Sequence, residues 1–459
     1  MSSLDFEFLN KNGRLVGSAE ELTPEIAATL GALFGEYIGG EDAVVVTARD
    51  YRKDTRMVSR AFNAGLISVG TTVFELHSCS FPVLEFALRR FSAHAGVQFA
   101  ATHRQPSKIG IRFFNQTGVE IPSNEIYKGE KLQSPKIKRA PPSKIADIVS
   151  VQQANELYQA AVRSALNLDI FEAKKITVVV DCALGPVAEA YPALLSSVGI
   201  DVLTLNSYVP SSIPESLPSP KSLAIMSRTI IAAKADMGIA FDSKGSRVLF
   251  FDETGKIIDA HAILAMLIEQ KMVGREEGTV VFSKSLWLLN DWLKSKNIKA
   301  YFVEDYPGNI SKTMQFHRSL FGGNERGNYI HPTFSNESEP FVTALLILRE
   351  LAQNGRFKYL SQLIEQYDVV NHAYLKEELY YPLNQPVEFF TKLYEQKLEY
   401  KKINTLNGIK IIFSDKSWAH LSTRLIPQRL YIQACAEEKE EREKILEYCK
   451  ALIEKIELN

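Results

Sequence analysis

Apolar and polar positions along this chain come in a repeating order, a short apolar run followed by a longer stretch of helical period. "DAVVVTARD" (42–50) is a compact apolar run ending in polar residues, and "DTRMVSRAFNAGLISVG" (54–70) then has apolar positions three and four apart before a closing glycine. "TTVFELHS" predicts a strand, "FPVLEFALRRFSA" a helix opened near a proline, and "GVQFAATH" the next strand. The rhythm returns at "KKITVVVDCALG" (174–185), "AEAYPALLSSVG" and "IDVLTLN", and again at "GTVVFSKSLWLLNDWLKSKNI" and "KAYFVED". Three βαβ-like units of comparable length predict three similar α/β domains, although no exact repeat accompanies the rhythm.

The tail has another pattern. "INTLNGIKIIFSDKSWAHLS" reads as strand, turn, strand, and "QRLYIQACA" as a further strand. A charged helix follows, with one apolar stripe of Ile445, Leu446, Cys449, Leu452, Ile453 and Ile456. That stripe is expected in a core, with the charges on the solvated face. The proline-rich "GEKLQSPKIKRAPPSK" (129–144) reads as a linker, and later breaks fall near the acidic turn after Phe241 and near "AQNGRFKYLSQLIEQY".

Composition narrows the picture. A chain of 459 residues exceeds what one core serves, so two to four domains are expected. A formal net charge of −1 leaves no broad footprint for nucleic acid or an anionic membrane. No apolar run approaches the roughly 20 residues that span a bilayer, and "MSSLDFEFLNKNG" lacks the pattern of a secretory leader. Cys79, Cys182, Cys435 and Cys449 have no C-x-x-C spacing and are expected as idle or buried thiols in a reducing cytoplasm.

The most informative chemistry lies in "ADMGIAFDSKGSRVLFFDETG" (235–255), read as strand, tight acidic turn, strand. Oxygen ligands at alternate positions of such a turn can converge on a divalent cation. Those positions here are Asp242, Lys244 and Ser246: one carboxylate, one ammonium and one hydroxyl.

Taken in order, "ELTPEIAATLGALFGEYIGG", "ARDYRKDTRMVSRAFNAGLISVGTTV", "FAATHRQPSKIGIRFFNQTGVEI", the acidic turn, and "FGGNERGNYIHP" before "FVTALLILRELA" resemble the α-D-phosphohexomutase superfamily, which includes phosphoglucomutases and phosphomannomutases. The resemblance covers nearly the whole chain. It implies three similar α/β domains and a smaller α+β C-terminal domain around a central cleft, placed at 1–145, 146–250, 251–365 and 366–459.

The family's phosphoserine loop reads T-A-S-H-N-P-P-x-x-N-G-I-K. By that resemblance Thr102 takes the phosphorylated position, His103 the histidine and Arg112 the lysine, while Arg104 and Gln105 replace the Asn and first Pro. A threonine hydroxyl can carry phosphate, but its β-methyl restricts χ1 and crowds in-line attack. In the metal loop, D-G-D-A-D-R in the family, Asp242 and Arg247 match and Lys244 and Ser246 stand for two aspartates. Mg²⁺ is the family cofactor, and with two of three ligand positions changed none is expected here. Either Lys244 replaces the cation, pairing with Asp242 and a phosphate near Thr102 or His103, or the turn has drifted into solvent.

The sugar-contact loop, G-E-x-S-G-H, aligns with Gly323, Asn324, Arg326, Gly327 and Asn328, which puts Glu325 at a variable position. Upstream, Gly308 fits a K-V-G-D loop with Asn309 in the acid's place. The phosphate loop R-P-S-G-T-E-P-x-x-R has lost its Ser-Gly-Thr cradle, leaving Ser422, Thr423 and Arg424 as a weaker substitute and Arg429 as the later arginine. Of the family's N-terminal motif only Gly13 and Arg14 remain, and "RDYR" (49–52) is expected to form a buried Arg–Asp pair.

Every chemical motif is altered while the packing pattern stays readable. On that ground we read the chain first as a mutase homologue without Mg-dependent activity, reused for binding or regulation of a protein partner, a macromolecular assembly or a phosphosugar ligand. A second reading is a divergent phosphosugar mutase working through Thr102, with His103 or Lys244 assisting. A third is a non-catalytic phosphosugar sensor. Monomer and homodimer stay open.

Overall fold

The computed structural model describes the chain except residues 1–9, 12, 103–106, 128–136, 167, 210–217, 354–355, 370–374, 383–385, 405–407, 415, 424–428 and 458–459. Its described strands form four sheets. In the first, Thr72–Ser78, Val44–Arg49 and Ala95–Ala101 run parallel in that spatial order, and Ile109–Asn115 returns antiparallel beside Ala95–Ala101. The second repeats the plan: Asp201–Leu205, Thr177–Asp181 and Met237–Phe241 are parallel, and Val248–Phe251 is antiparallel. So does the third, with Ile298–Val303, Gly278–Ser283 and Phe321–Asn324 parallel and Asn328–Ile330 antiparallel. The rhythm of the sequence therefore reports three copies of one topology. Each copy has a hairpin joining its third parallel strand to an antiparallel fourth.

The fourth sheet is antiparallel throughout, in the order Leu375–Pro382, Arg429–Ala436, Ser417–Thr423, Gly408–Ser414, Lys401–Asn404. The helix Lys439–Glu457 packs on it through the six apolar residues of its stripe, all of them buried. This is the α+β domain.

Local signals explain the helices. Pro24–Tyr37 starts with proline in its first turn and with Thr23 accepting a hydrogen bond from the Ile26 N–H (3.4 Å). Ser219 and Ser222 form a reciprocal capping box at the start of Pro220–Ala233. The helix Pro340–Gln353 is buried along most of its length, and Phe341 packs on Tyr191 and Phe241 with ring centroids 4.6 Å and 5.2 Å away. It thereby joins the second and third domains. One hydrophobic core runs from Val46 and Phe81 through Val180, Phe282 and Phe341 to Trp418 and Cys435. Separate cores lie under the helices Pro24–Tyr37 and Lys53–Ile67 and inside the C-terminal domain. All four cysteines are buried thiols. Among the described residues no helix is long and apolar enough to cross a membrane.

Candidate functional site

The three equivalent hairpins carry Thr102, Lys244 and Arg326, and hydrogen bonds tie the second hairpin to the third and to the first domain. The Phe81 N–H donates to the Lys244 carbonyl (2.8 Å), tying the first domain to the second-domain turn. The Val248 N–H donates to the Gly327 carbonyl (3.1 Å), and Asn328 Nδ2 donates to the Ser246 carbonyl (3.1 Å), tying the second domain to the third.

Thr102 follows a strand whose end is fixed from below. The Ala101 N–H donates to Asp50 Oδ2 (2.7 Å), and the same buried carboxylate accepts from the Arg52 N–H (3.1 Å) and the Thr55 hydroxyl. Burial pushes the Asp50 carboxyl up, against those hydrogen bonds. The Thr102 N–H donates to the Lys108 carbonyl (3.1 Å), closing the loop. The expected Arg–Asp pair in "RDYR" takes another form, because Asp50 is occupied by backbone donors. Arg49 donates to the Asp50 carbonyl and the Ser78 hydroxyl (3.0 Å each), and Arg52 pairs with Asp54.

Two residues along the strand from Gly110, Arg112 lies over the Phe81 ring, 4.6 Å from its centroid. Its guanidinium and that of Arg14 both grip Glu120, at 2.8–3.1 Å and 2.6 Å respectively. Burial opposes the charge on Glu120, but Arg112 and Arg14 together hold its carboxyl well below the usual range. Beneath it Glu337 accepts from the Glu120 N–H (3.2 Å) and the Ser311 hydroxyl (3.0 Å). Burial, then the Glu120 charge, pushes the Glu337 carboxyl up to about 7.

In the acidic turn, Asp242 Oδ1 accepts from the Ser246 N–H (2.7 Å) and the Arg247 N–H (3.1 Å), and Oδ2 accepts from the Ser246 hydroxyl (3.0 Å). The Lys244 ammonium lies 3.7 Å from Oδ2 with its side chain 14% exposed, so the turn has not drifted into solvent. Gly185 makes room for it: a Cβ there would stand 2.0 Å from the Ser243 carbonyl oxygen. Burial first, then Arg247, Arg112 and Arg14, brings Lys244 down to about 8 although Asp242 pulls the other way. Burial and then Arg326 bring Arg247 down to about 10.

This donor set does not fit magnesium. The ion takes several oxygens at about 2.0–2.1 Å in near-ideal octahedral geometry. Here the one carboxylate is engaged by three donors and faces an ammonium. Among the described residues no group of three His, Cys, Asp or Glu is placed to hold a metal.

The third hairpin is shaped by Asn324, which is 5% exposed. Its Oδ1 accepts from the Arg326 N–H (3.0 Å) and the Asn328 N–H (3.2 Å), and its Nδ2 donates to Asp305 (3.3 Å). Asn324 thus orders the turn, whereas Arg326, paired with Asp305 at 3.2 Å, presents the charge. Glu325, set aside as a variable position, is 2.9 Å from the Lys410 ammonium, which sits 3.7 Å over the Trp418 ring. That contact joins the sugar-loop hairpin to the C-terminal domain.

Other expected ligand residues are placed elsewhere. Gly308 has φ +74°, and a Cβ on it would stand 2.2 Å from the Glu120 carbonyl oxygen, so its role is close packing of the third domain on the first. Ser422 is fully buried in its strand, with a hydroxyl that has no hydrogen-bond partner, which removes it from any open phosphate cradle. Thr423 pairs with Leu430 and Arg429 with Pro382 through the sheet backbone. His103 and Arg424 lie outside the described residues. Glu120, Asp305 and Lys410 were missed, and Asp50 was expected only as the partner of an arginine. Only Lys410 had a signal, a lone cation in the apolar strand "GIKII", where burial demands a counter-charge.

Counting the charges among the described residues decides what this cleft can hold. Five cations, Arg14, Arg112, Lys244, Arg247 and Arg326, lie close enough to shift one another or share partners. Three carboxylates face them, Glu120, Asp242 and Asp305, with Glu337 only partly ionised near pH 7. Between one and two positive charges are left over, depending on Glu337, a field that favours a phosphate.

A four-domain fold with site loops at three equivalent hairpins and a cationic cleft defines a phosphohexomutase-type protein. The family descriptions "phosphoglucomutase/phosphomannomutase, alpha/beta/alpha domain I" and "domain II" match residues 8–132 and 156–255. The chain belongs to the α-D-phosphohexomutase superfamily. A probable phosphoglucosamine mutase of Methanosphaera stadtmanae is 28% identical over 87% of each chain, and one of Pyrococcus abyssi is 26% identical over 95% of each. A candidate phosphomannomutase of Thermus thermophilus superposes with a TM-score of 0.74 at 20% identity, over 97% of this chain and 98% of that one, a likeness of fold. These relatives overturn the first functional expectation. Chains alike over most of this length are named probable phosphoglucosamine mutases, which favours the divergent-mutase reading over a silent homologue.

Proposed function

We propose that this protein is a phosphosugar mutase, an intramolecular phosphotransferase that moves phosphate between two hydroxyls of a hexose phosphate through Thr102. The observation that carries the reading is the net positive charge around the three hairpins, on a chain whose relatives are named probable phosphoglucosamine mutases. Amino-hexose phosphates are the first substrates to offer. Thr102 is partly exposed at the loop that the Asp50 carboxylate anchors, and Arg112 and Arg14 lie on the neighbouring strands of the same sheet. The cations supply the electrostatic stabilisation on which phosphoryl transfer depends.

Phosphorus NMR of the purified chain with hexosamine 6-phosphate and a sugar bisphosphate primer tests this. Growth of a 1-phosphate resonance, lost in Thr102→Ala and kept in Thr102→Ser, is the expected result. Absence of interconversion with every hexose and hexosamine phosphate, together with no phosphate on Thr102 by mass spectrometry, refutes it.

A further inference from the structure

We propose that the Lys244 ammonium is the resident cation of this active site, holding the transferring phosphoryl group without a divalent metal. The transfer step rests on the mutase reading; the phosphate-binding role does not.

The charge balance of the turn supports a replacement rather than a loss. A loop of three carboxylates loaded with a dication carries one net negative charge. Asp242 with Lys244 carries none, close to the loaded state with no ion bound. The geometry is self-contained. Asp242 closes the turn through Ser246 and Arg247, and the ammonium stands 3.7 Å from Asp242 Oδ2, too far for a short hydrogen bond and near enough to be held by charge. An ammonium carries three donors, and a carboxylate at that distance leaves them free for an incoming phosphoryl oxygen. The Lys244 carbonyl is fixed on the Phe81 N–H, and the Phe81 ring underlies Arg112, on the strand that pairs with the one leading to Thr102. Lys244 therefore stands beside the strand of Arg112, next to the strand that leads to Thr102. In the transfer the Thr102 Oγ–P bond breaks as a P–O bond to the sugar hydroxyl forms, and the hydroxyl proton ends on the threonine oxygen. Lys244 neutralises the equatorial oxygens throughout and needs no change of its own protonation.

Inorganic phosphate binding by calorimetry tests this without requiring turnover. In the wild type the affinity should be the same in EDTA and in excess Mg²⁺. Lys244→Met should weaken it roughly ten- to hundredfold, the worth of a charge-assisted hydrogen bond. Lys244→Arg, which keeps the charge, should recover most of the loss, a rescue that a merely structural side chain would not show. Lys244→Asp with Ser246→Asp should take up one Mn²⁺ by electron paramagnetic resonance and make phosphate binding chelator-sensitive. Wild-type phosphate binding that requires Mg²⁺, or a Lys244→Met chain that binds as tightly as wild type, overturns the proposal. Chelator-insensitive, Lys244-dependent binding with no interconversion of any sugar phosphate refutes the mutase reading and supports this one.

Discussion

Lys410 offers the sharpest test of how the C-terminal domain is coupled to the cleft. Its ammonium is 2.9 Å from Glu325, with side-chain exposures of 2% and 9%, and it caps the Trp418 ring at 3.7 Å. At that separation and an effective dielectric of about 20, the pair attracts by about 6 kcal/mol before the cost of desolvation. Lys410→Met preserves the stem and the contact with Trp418 but strands the Glu325 carboxylate, one oxygen of which already lacks a hydrogen bond. Breaking a buried pair from one side costs about 3–5 kcal/mol. Native-state hydrogen exchange reads the effect locally, since each 1.4 kcal/mol is about tenfold in protection. Amides of Gly408–Ser414 should lose protection by about a hundredfold or more, and those of the hairpin around 324–328 should fall with them. Lys410→Met with Glu325→Gln should regain most of it. Unchanged protection in the single variant, or a double variant as labile as the single, would refute the view that an uncompensated charge sets the cost.

Two other perturbations have definite signs. Burial raises the Glu339 carboxyl to about 7 from its ordinary 4.5, so between those values the folded chain keeps a proton that the unfolded chain has released. Stability should therefore fall as pH rises through that window, and Glu339→Gln should remove up to about 3 kcal/mol of the fall, seen as denaturant midpoints that converge at pH 5 and separate above pH 7. Gly308→Ala would press a Cβ to 2.2 Å from the Glu120 carbonyl oxygen at φ +74°; a loss of about 1–3 kcal/mol in thermal unfolding is expected, and a wild-type melting temperature would count against the close packing described.

The fold was readable because its signals are local. Periodicity located the strands Val44–Arg49, Thr177–Asp181 and Gly278–Ser283, and the stripe from Ile445 to Ile456 gave the packed face of the last helix residue by residue. The site was readable where a loop carries its own chemistry, as at Asp242 and Lys244. It was not readable where partners come from distant segments: Glu120 with Arg14, Glu325 with Lys410 and Asp50 with Ala101 are separated by tens to about a hundred residues. Motif comparison also gave no sign of the structural parts played by Asn324 and Gly308, because a side chain or a glycine needed to shape a turn looks the same in sequence as one that touches a ligand. The step from altered motifs to lost activity failed for a related reason. The altered motifs were added up as losses, whereas five cations against three carboxylates is a property of the assembled cleft.

Three sheets of one topology each offer a single hairpin to the cleft, and every hairpin is anchored by its own strands. Inheritance can then edit the side chains of one hairpin while the backbone bonds to its neighbours persist, much as one key on a ring is recut. A lineage built this way is free to exchange its dependence on the supply of an ion for a side chain encoded in the gene, while the frame around it is handed down unaltered.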